Sequence, residues 1–183
     1  MTIYRSPLPA IRLRGISITD RVFEGLGDDP DRVILIDGTS GAETTVAMFK
    51  DRIRRLAGGL AARGIGPGDV VAILAPNSPD FAVAFHAIAY AGATVTTLNP
   101  SYTAHEVQHQ LADSGARLVF AHAALLPVVT AALHDTAVAE VVTLTPTEGH
   151  ACLDDLMAAP LSAQVPVDFG THAVALPYSS GTT

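Results

Sequence analysis

The chain has 183 residues, 49% of them apolar and 16% charged, which is enough to bury a sizeable core and excludes a disordered tail or a disulfide-stapled peptide. Lys and Arg number 11 against 18 Asp and Glu, a net charge of -7, and no basic run exceeds Arg54-Arg55, so a nucleic-acid partner is not expected. The single Cys152 cannot form an internal disulfide and reads as an inert packed thiol; with no basic-then-apolar leader behind Met1, a reducing, cytoplasmic setting is expected.

Residues 1–15, with Pro7, Pro9 and several Arg, read as an extended arm. Ser17 to Leu26 is an amphipathic helix with a polar cap, followed by a strand at Val33–Ile36, a turn at Asp37–Gly41 and a returning strand at Glu43–Val46. Phe49, Ile53, Leu56 and Leu60 recur at helical spacing, predicting a helix over about 47–63. Gly64-Ile65-Gly66-Pro67-Gly68-Asp69 superficially suggests a dinucleotide loop. Such a loop must follow a strand and open a helix, whereas here a helix precedes and the strand Val70–Leu74 follows, so a helix stop and turn are expected.

Beyond that strand the pattern alternates regularly. Asn77-Ser78-Pro79-Asp80 supplies the cap, first-turn proline and dipole carboxylate of a helix running to Ala91, and Gly92 stops it. Strands are expected at Thr94–Leu98, Arg117–Ala121, Glu140–Leu144 and Ala173–Tyr178. Helices are expected at Ala104–Ser114, at Ala123–Leu133 around Pro127, and as a turn or two at Cys152–Met157. Phe81 to His105 carries no Asp, Glu, Lys or Arg, but Gly92, the β-branched run Thr94–Thr97 and Asn99-Pro100 would break a spanning helix, so no transmembrane segment is expected. The predicted fold is therefore α/β: a mostly parallel sheet with helices on both faces, preceded by a helix-hairpin-helix segment.

His105-Glu106-Val107-Gln108-His109 matches the H-E-x-x-H zinc-hydrolase signature. Local context assigns these residues elsewhere. Thr103 and Glu106 form a capping box, Val107 and Leu111 make the buried stripe, and His105 and His109 are expected to face solvent rather than a cleft, so no metal ligand is assigned. No G-x-S-x-G nucleophile elbow occurs, and no catalytic acid, base or nucleophile is legible.

The last residues, Tyr178-Ser179-Ser180-Gly181-Thr182-Thr183, gather hydroxyls and a glycine where a buried strand becomes a loop. Small residues let backbone amides approach a phosphate, and Ser and Thr hydroxyls can donate to its oxygens; composition alone also fits an ordinary polar turn.

Three ordered blocks carry a family resemblance. They are Gly68-Asp69-Val70-Val71-Ala72-Ile73-Leu74-Ala75-Pro76-Asn77-Ser78, then Gly92-Ala93 through Asn99-Pro100-Ser101-Tyr102-Thr103 with Glu106 and Gln110, and finally Leu176-Pro177-Tyr178-Ser179-Ser180-Gly181-Thr182-Thr183. In these the chain resembles the N-terminal third of adenylate-forming ligases, especially 4-coumarate:CoA ligases and fatty acyl-CoA synthetases. The resemblance implies an acid-thiol ligase that uses ATP, Mg2+ and coenzyme A on a small carboxylic acid, with Ser179, Ser180, Gly181, Thr182 and Thr183 opening the phosphate loop. It also implies that residues 1–67 pack on a neighbouring subdomain and that 68–183 form one αβ subdomain. The rest of the phosphate signature and the C-terminal part would lie after Thr183, so these 183 residues alone are expected to be inactive. Two alternatives stay open: an adenylating enzyme that delivers to a carrier protein, and a catalytically silent stand-alone αβ binding domain.

Overall fold

A computed structural model of the chain describes residues 7–8 and 15–179. Ser17, the N-cap of α1 (Ile18–Gly25), accepts from the Asp20 amide at 2.9 Å, the satisfied helix start that its polar side chain predicts. Strands β1 (Val33–Ile36) and β2 (Glu43–Thr45) form an antiparallel hairpin that is a sheet of its own. Helix α2 (Val46–Ala62) begins on Thr45, whose hydroxyl accepts from Met48 N, and ends at Gly64 with φ +71, where the Ile65 amide reaches back to Leu60 O at 3.0 Å. The Gly64–Asp69 segment is thus the predicted helix stop and turn.

Strand β3 (Val70–Leu74) opens a five-stranded sheet completed by β4 (Thr94–Leu98), β5 (Ala116–Ala121), β6 (Glu140–Thr143) and β7 (Ala175–Leu176). All pairings are parallel, in the order β6-β5-β3-β4-β7. The connections are α3 (Pro79–Tyr90), α4 (Ala104–Ser114) and α5 (Leu126–Ala132). A 3-10 turn at Ala123–Leu125 leads into α5, with Pro127 in its first turn, and another spans Leu153–Leu156.

Side-chain alternation along the strands divides the interior in two. Val71, Ile73, Val95, Leu118 and Phe120 pack with Phe49, Ile53, Leu56 and Leu60 of α2 and Val83, Ala87 and Ile88 of α3. Ala72, Leu74, Leu98, Val119 and Ala121 face Val107 and Leu111 of α4 and Val129 and Ala132 of α5. The predicted parallel sheet with both faces covered is what forms. Among the segments before residue 68, the hairpin is a sheet separate from the large one, but its Ile34 and Leu35 pack against the same core that α2 shares with that sheet.

Segment 156–161 closes the first face by lying directly on the α2 backbone. Ala158 N and Leu161 N donate to Arg55 O and Arg54 O, both at 3.1 Å. Gly58 and Gly59 permit this approach, because a Cβ on them would sit 2.0 Å from Ala159 O and 1.6 Å from Leu156 O. Arg52 joins the same corner, with Nη1 2.7 Å from Asp80 of α3 and Nη2 2.9 Å from Asp154.

One expectation needs shortening. The strand predicted over 173–178 pairs only at Ala175 and Leu176. It is an edge strand with β4 as its sole neighbour in the described sheet, and Pro177 has no amide with which to continue the ladder.

Candidate functional site at the carboxyl edge of the sheet

Strand order locates the site before any side chain is considered. From β3 the chain passes through α3 on one face to reach β4 on one side, then through α4 on the opposite face to reach β5 on the other side. The carboxyl ends of β3 and β4 therefore diverge at a topological switch point, where α/β sheets bind ligands. A depression of ≈380 Å³ lies there, lined by Ala75 and Asn77 after β3, Leu98 and Asn99 at the end of β4, and Tyr102 and Tyr178. A second, of ≈480 Å³, shares those two tyrosines and is lined further by His105, His109, Gln110 and Ser179.

Of the five residues predicted to hold phosphate, Ser179 is described; it is exposed and lines the larger depression. Ser180, Gly181, Thr182 and Thr183 lie outside the described residues. The segment that delivers Ser179 is held by α4 and β4. Thr94 Oγ1 donates to Ala173 O at 2.7 Å, Val95 N to Val174 O at 3.0 Å and Thr96 Oγ1 to Leu176 O at 3.0 Å. The Tyr178 hydroxyl donates to Asp113 Oδ2 on α4. Partial burial, then the bond to Asp113 and its charge, push the Tyr178 phenol up to about 12, so it remains a donor at neutral pH.

Helix α4 carries the predicted capping box. Glu106 N lies 3.4 Å from Thr103 Oγ1, and Glu106 Oε2 accepts from Thr103 N at 2.7 Å and from its hydroxyl at 2.8 Å. Those bonds hold the Glu106 carboxyl below its ordinary value. Gly115, at φ +66, terminates the helix in the left-handed conformation. The histidines of the H-E-x-x-H match require a correction. His105 and His109 are exposed, but instead of facing open solvent they line the depression beside Ser179, because Tyr178 and Ser179 rise alongside that helix face. Among the described residues no group of three or more His, Cys, Asp or Glu is disposed to hold a metal ion. No helix among them is long and apolar enough to cross a membrane.

Asp113 had no signal in the sequence; only the fold brings it to Tyr178, 65 residues away. Asn77 had one as part of a helix start, and its place at the switch point follows from strand order.

A profile of the family described as AMP-binding enzyme matches residues 23–183. The chain is 41% identical to 4-coumarate–CoA ligase 5 of Oryza sativa subsp. japonica over 99% of its length, and 36% identical to 4-coumarate–CoA ligase 4 of Arabidopsis thaliana, again over 99%. It spans about a third, 34%, of each of these relatives. Among solved structures it is similar to a long-chain-fatty-acid-CoA ligase from Archaeoglobus fulgidus, with a TM-score of 0.84 at 23% identity, covering 97% of this chain and 37% of that one; at that identity the likeness is one of fold. It also superposes on the N-terminal domain of a protein named FACL13 from Mycobacterium tuberculosis, with a TM-score of 0.72 at 26% identity, covering 88% of this chain and 41% of that one.

Proposed function

Because the chain belongs to the AMP-binding enzyme family, we propose that it is the N-terminal part of an ATP-dependent carboxylate:CoA ligase. A carboxylate oxygen of the substrate attacks the α-phosphorus of Mg-ATP. The bond to the bridging oxygen breaks, and acyl-adenylate and pyrophosphate form. The thiol of coenzyme A, losing its proton, then attacks the acyl carbonyl, and AMP leaves as the thioester forms. Ser179, Ser180, Gly181, Thr182 and Thr183 cradle the β- and γ-phosphates with their magnesium, stabilising the charge that moves onto pyrophosphate. The substrate is a small carboxylic acid of the aryl or fatty type, and the setting is cytoplasmic.

The observation that carries this reading is the delivery by β7 of Tyr178 to the crevice where β3 and β4 diverge, and of Ser179 to the depression that adjoins it along α4. Parallel sheets bind nucleotides and their phosphates at such a place. Coenzyme A is favoured over a carrier-protein arm because the curated relatives are named as CoA ligases. The reading also has residues 1–67, an arm, helix, hairpin and helix, pack on a second sheet formed by sequence outside this chain, beside the αβ subdomain 68–183. In support, a two-stranded hairpin is marginal alone, and Val33 and Ile36 stand 38% and 63% exposed.

The test is Thr182→Val in the full-length protein, which removes a hydroxyl while keeping size and β-branching. A hydrogen bond to a charged group contributes about 1.5–3 kcal/mol, so adenylation, followed by pyrophosphate exchange, should slow by roughly ten- to a hundred-fold. Thioester formation from pre-made acyl-adenylate involves no pyrophosphate and should change much less. Equal loss in both half-reactions, or none in adenylation, would return Ser179–Thr183 to an ordinary turn. The 183-residue segment alone should show no pyrophosphate exchange above a buffer blank.

A further inference from the structure

We infer that Gln110 and Thr96 are positioning residues that aim the phosphate loop from inside the core, an inference that rests on the reading of Ser179–Thr183 given above. Gln110 sits on α4 and is 2% exposed; Thr96 sits on β4 and is fully buried. A buried amide must find partners, and the Gln110 Nε2 group has two: Thr96 Oγ1 at 2.8 Å and Thr97 O at 3.1 Å. Since the Thr96 oxygen accepts from Gln110, its own proton is free to point the other way. It donates to Leu176 O at 3.0 Å. The result is a directed chain from α4 through β4 to the last residue of β7, immediately before Pro177-Tyr178-Ser179.

The need for such a device follows from the weakness of β7. It is two residues long and pairs only with β4 in the described sheet, and Pro177 has no amide to extend the ladder. Thr96 is suited to the relay because its β-branched side chain is stiff about χ1. A second bond on the far side of Pro177, from Tyr178 to Asp113, uses the same helix, one turn beyond Gln110. Helix α4 is anchored at both ends by its capping box and by Gly115. An apolar pair of the same shape could fill the space of Gln110 and Thr96 at similar stability. What the polar pair adds is direction, because it fixes where the Leu176 carbonyl, and hence the loop after it, can sit. Misplacing a positioned group by about 1 Å can cost a hundred-fold in rate.

The test uses the full-length ligase carrying Thr96→Val, Thr96→Ser, or Gln110→Met with Thr96→Val, alongside Thr182→Val. Melting temperature, pyrophosphate exchange as a function of ATP, and thioester formation from pre-made acyl-adenylate are measured for each. Thr96→Val should lower kcat/KM for ATP about tenfold and leave the thioester step within about twofold, while Thr96→Ser, which keeps the hydroxyl, should restore adenylation. The double variant removes both buried side-chain polar groups together, so that neither is left facing an apolar partner, and its melting temperature should recover toward that of the parent while its adenylation stays low. A purely structural role predicts the opposite, with adenylation recovering together with stability, and that result would overturn the inference, as would unchanged adenylation in Thr96→Val. If Thr182→Val itself leaves adenylation intact, the phosphate-loop reading fails first, and the inference falls with it.

Discussion

The Tyr178 hydroxyl donates to Asp113 Oδ2, tying the residue just before Ser179 to the last turn of α4. A phenol held this way keeps its proton well above its ordinary value.

Titration of tyrosine absorbance should therefore contain a late component near pH 12, and Tyr178→Phe should remove it. The sign for stability follows. The folded state holds the proton more tightly than the unfolded chain, so the contribution is complete below about pH 10 and is lost as pH rises through the folded value. Unfolding midpoints measured above pH 10 should fall more steeply in the parent than in Tyr178→Phe.

The close approach of segment 156–161 to α2 makes the glycine pair a sharp point of sensitivity. Gly59→Ala should destabilise by about 3 kcal/mol, since its Cβ would lie 1.6 Å from Leu156 O, a backbone atom that cannot swing aside. Gly25→Ala, at the end of α1 with nothing within 4 Å, is the control. It should be neutral or stabilise by about 0.4–1 kcal/mol. Urea unfolding of both variants measures the difference.

His86 links α1 to α3. Its Nδ1 lies 3.1 Å from Thr19 Oγ1, and its ring meets Phe49 and Phe85 edge-on at centroid distances of 5.9 and 5.5 Å. Burial pushes the imidazole below its usual value, so the fold favours the neutral ring. Stability from this group is complete above about pH 6.5 and is lost as pH falls from there toward the folded value. Comparing urea midpoints at about pH 7.5 and about pH 5.5, His86→Gln should show a smaller drop than the parent.

Four carboxylates lose their contribution in a lower window. Hydrogen bonds hold Asp37, Glu106, Asp155 and Asp168 below their ordinary values. Each contribution is complete above the unfolded carboxylate value, about pH 4, and disappears as pH falls through the folded one. Glu106→Gln should therefore flatten the acid limb of the stability curve below about pH 4 and leave the histidine limb unchanged.

Much of this protein follows from periodicity and punctuation. Strands β1, β3 and β4 and helix α4 fall where alternation, helical spacing and the Thr103–Glu106 box place them, because those signals are local and physical. The hydroxyl-rich segment beginning at Ser179 is likewise a pattern of the sequence itself. Tertiary structure alone decided the rest. Pairing β7 with β4, at the opposite edge from β6, is a long-range choice that no window of sequence contains, and with it came the Thr96 bond to Leu176 O. His105 and His109 looked solvent-facing on their own helix. Their position beside Ser179 depends on a strand contributed from far along the chain, just as the Asp113 partner of Tyr178 does. Local preferences fix what each segment becomes, but hydrogen bonds and core contacts between distant segments form only once the sheet order is set, and that order determines which side chains meet at its carboxyl edge.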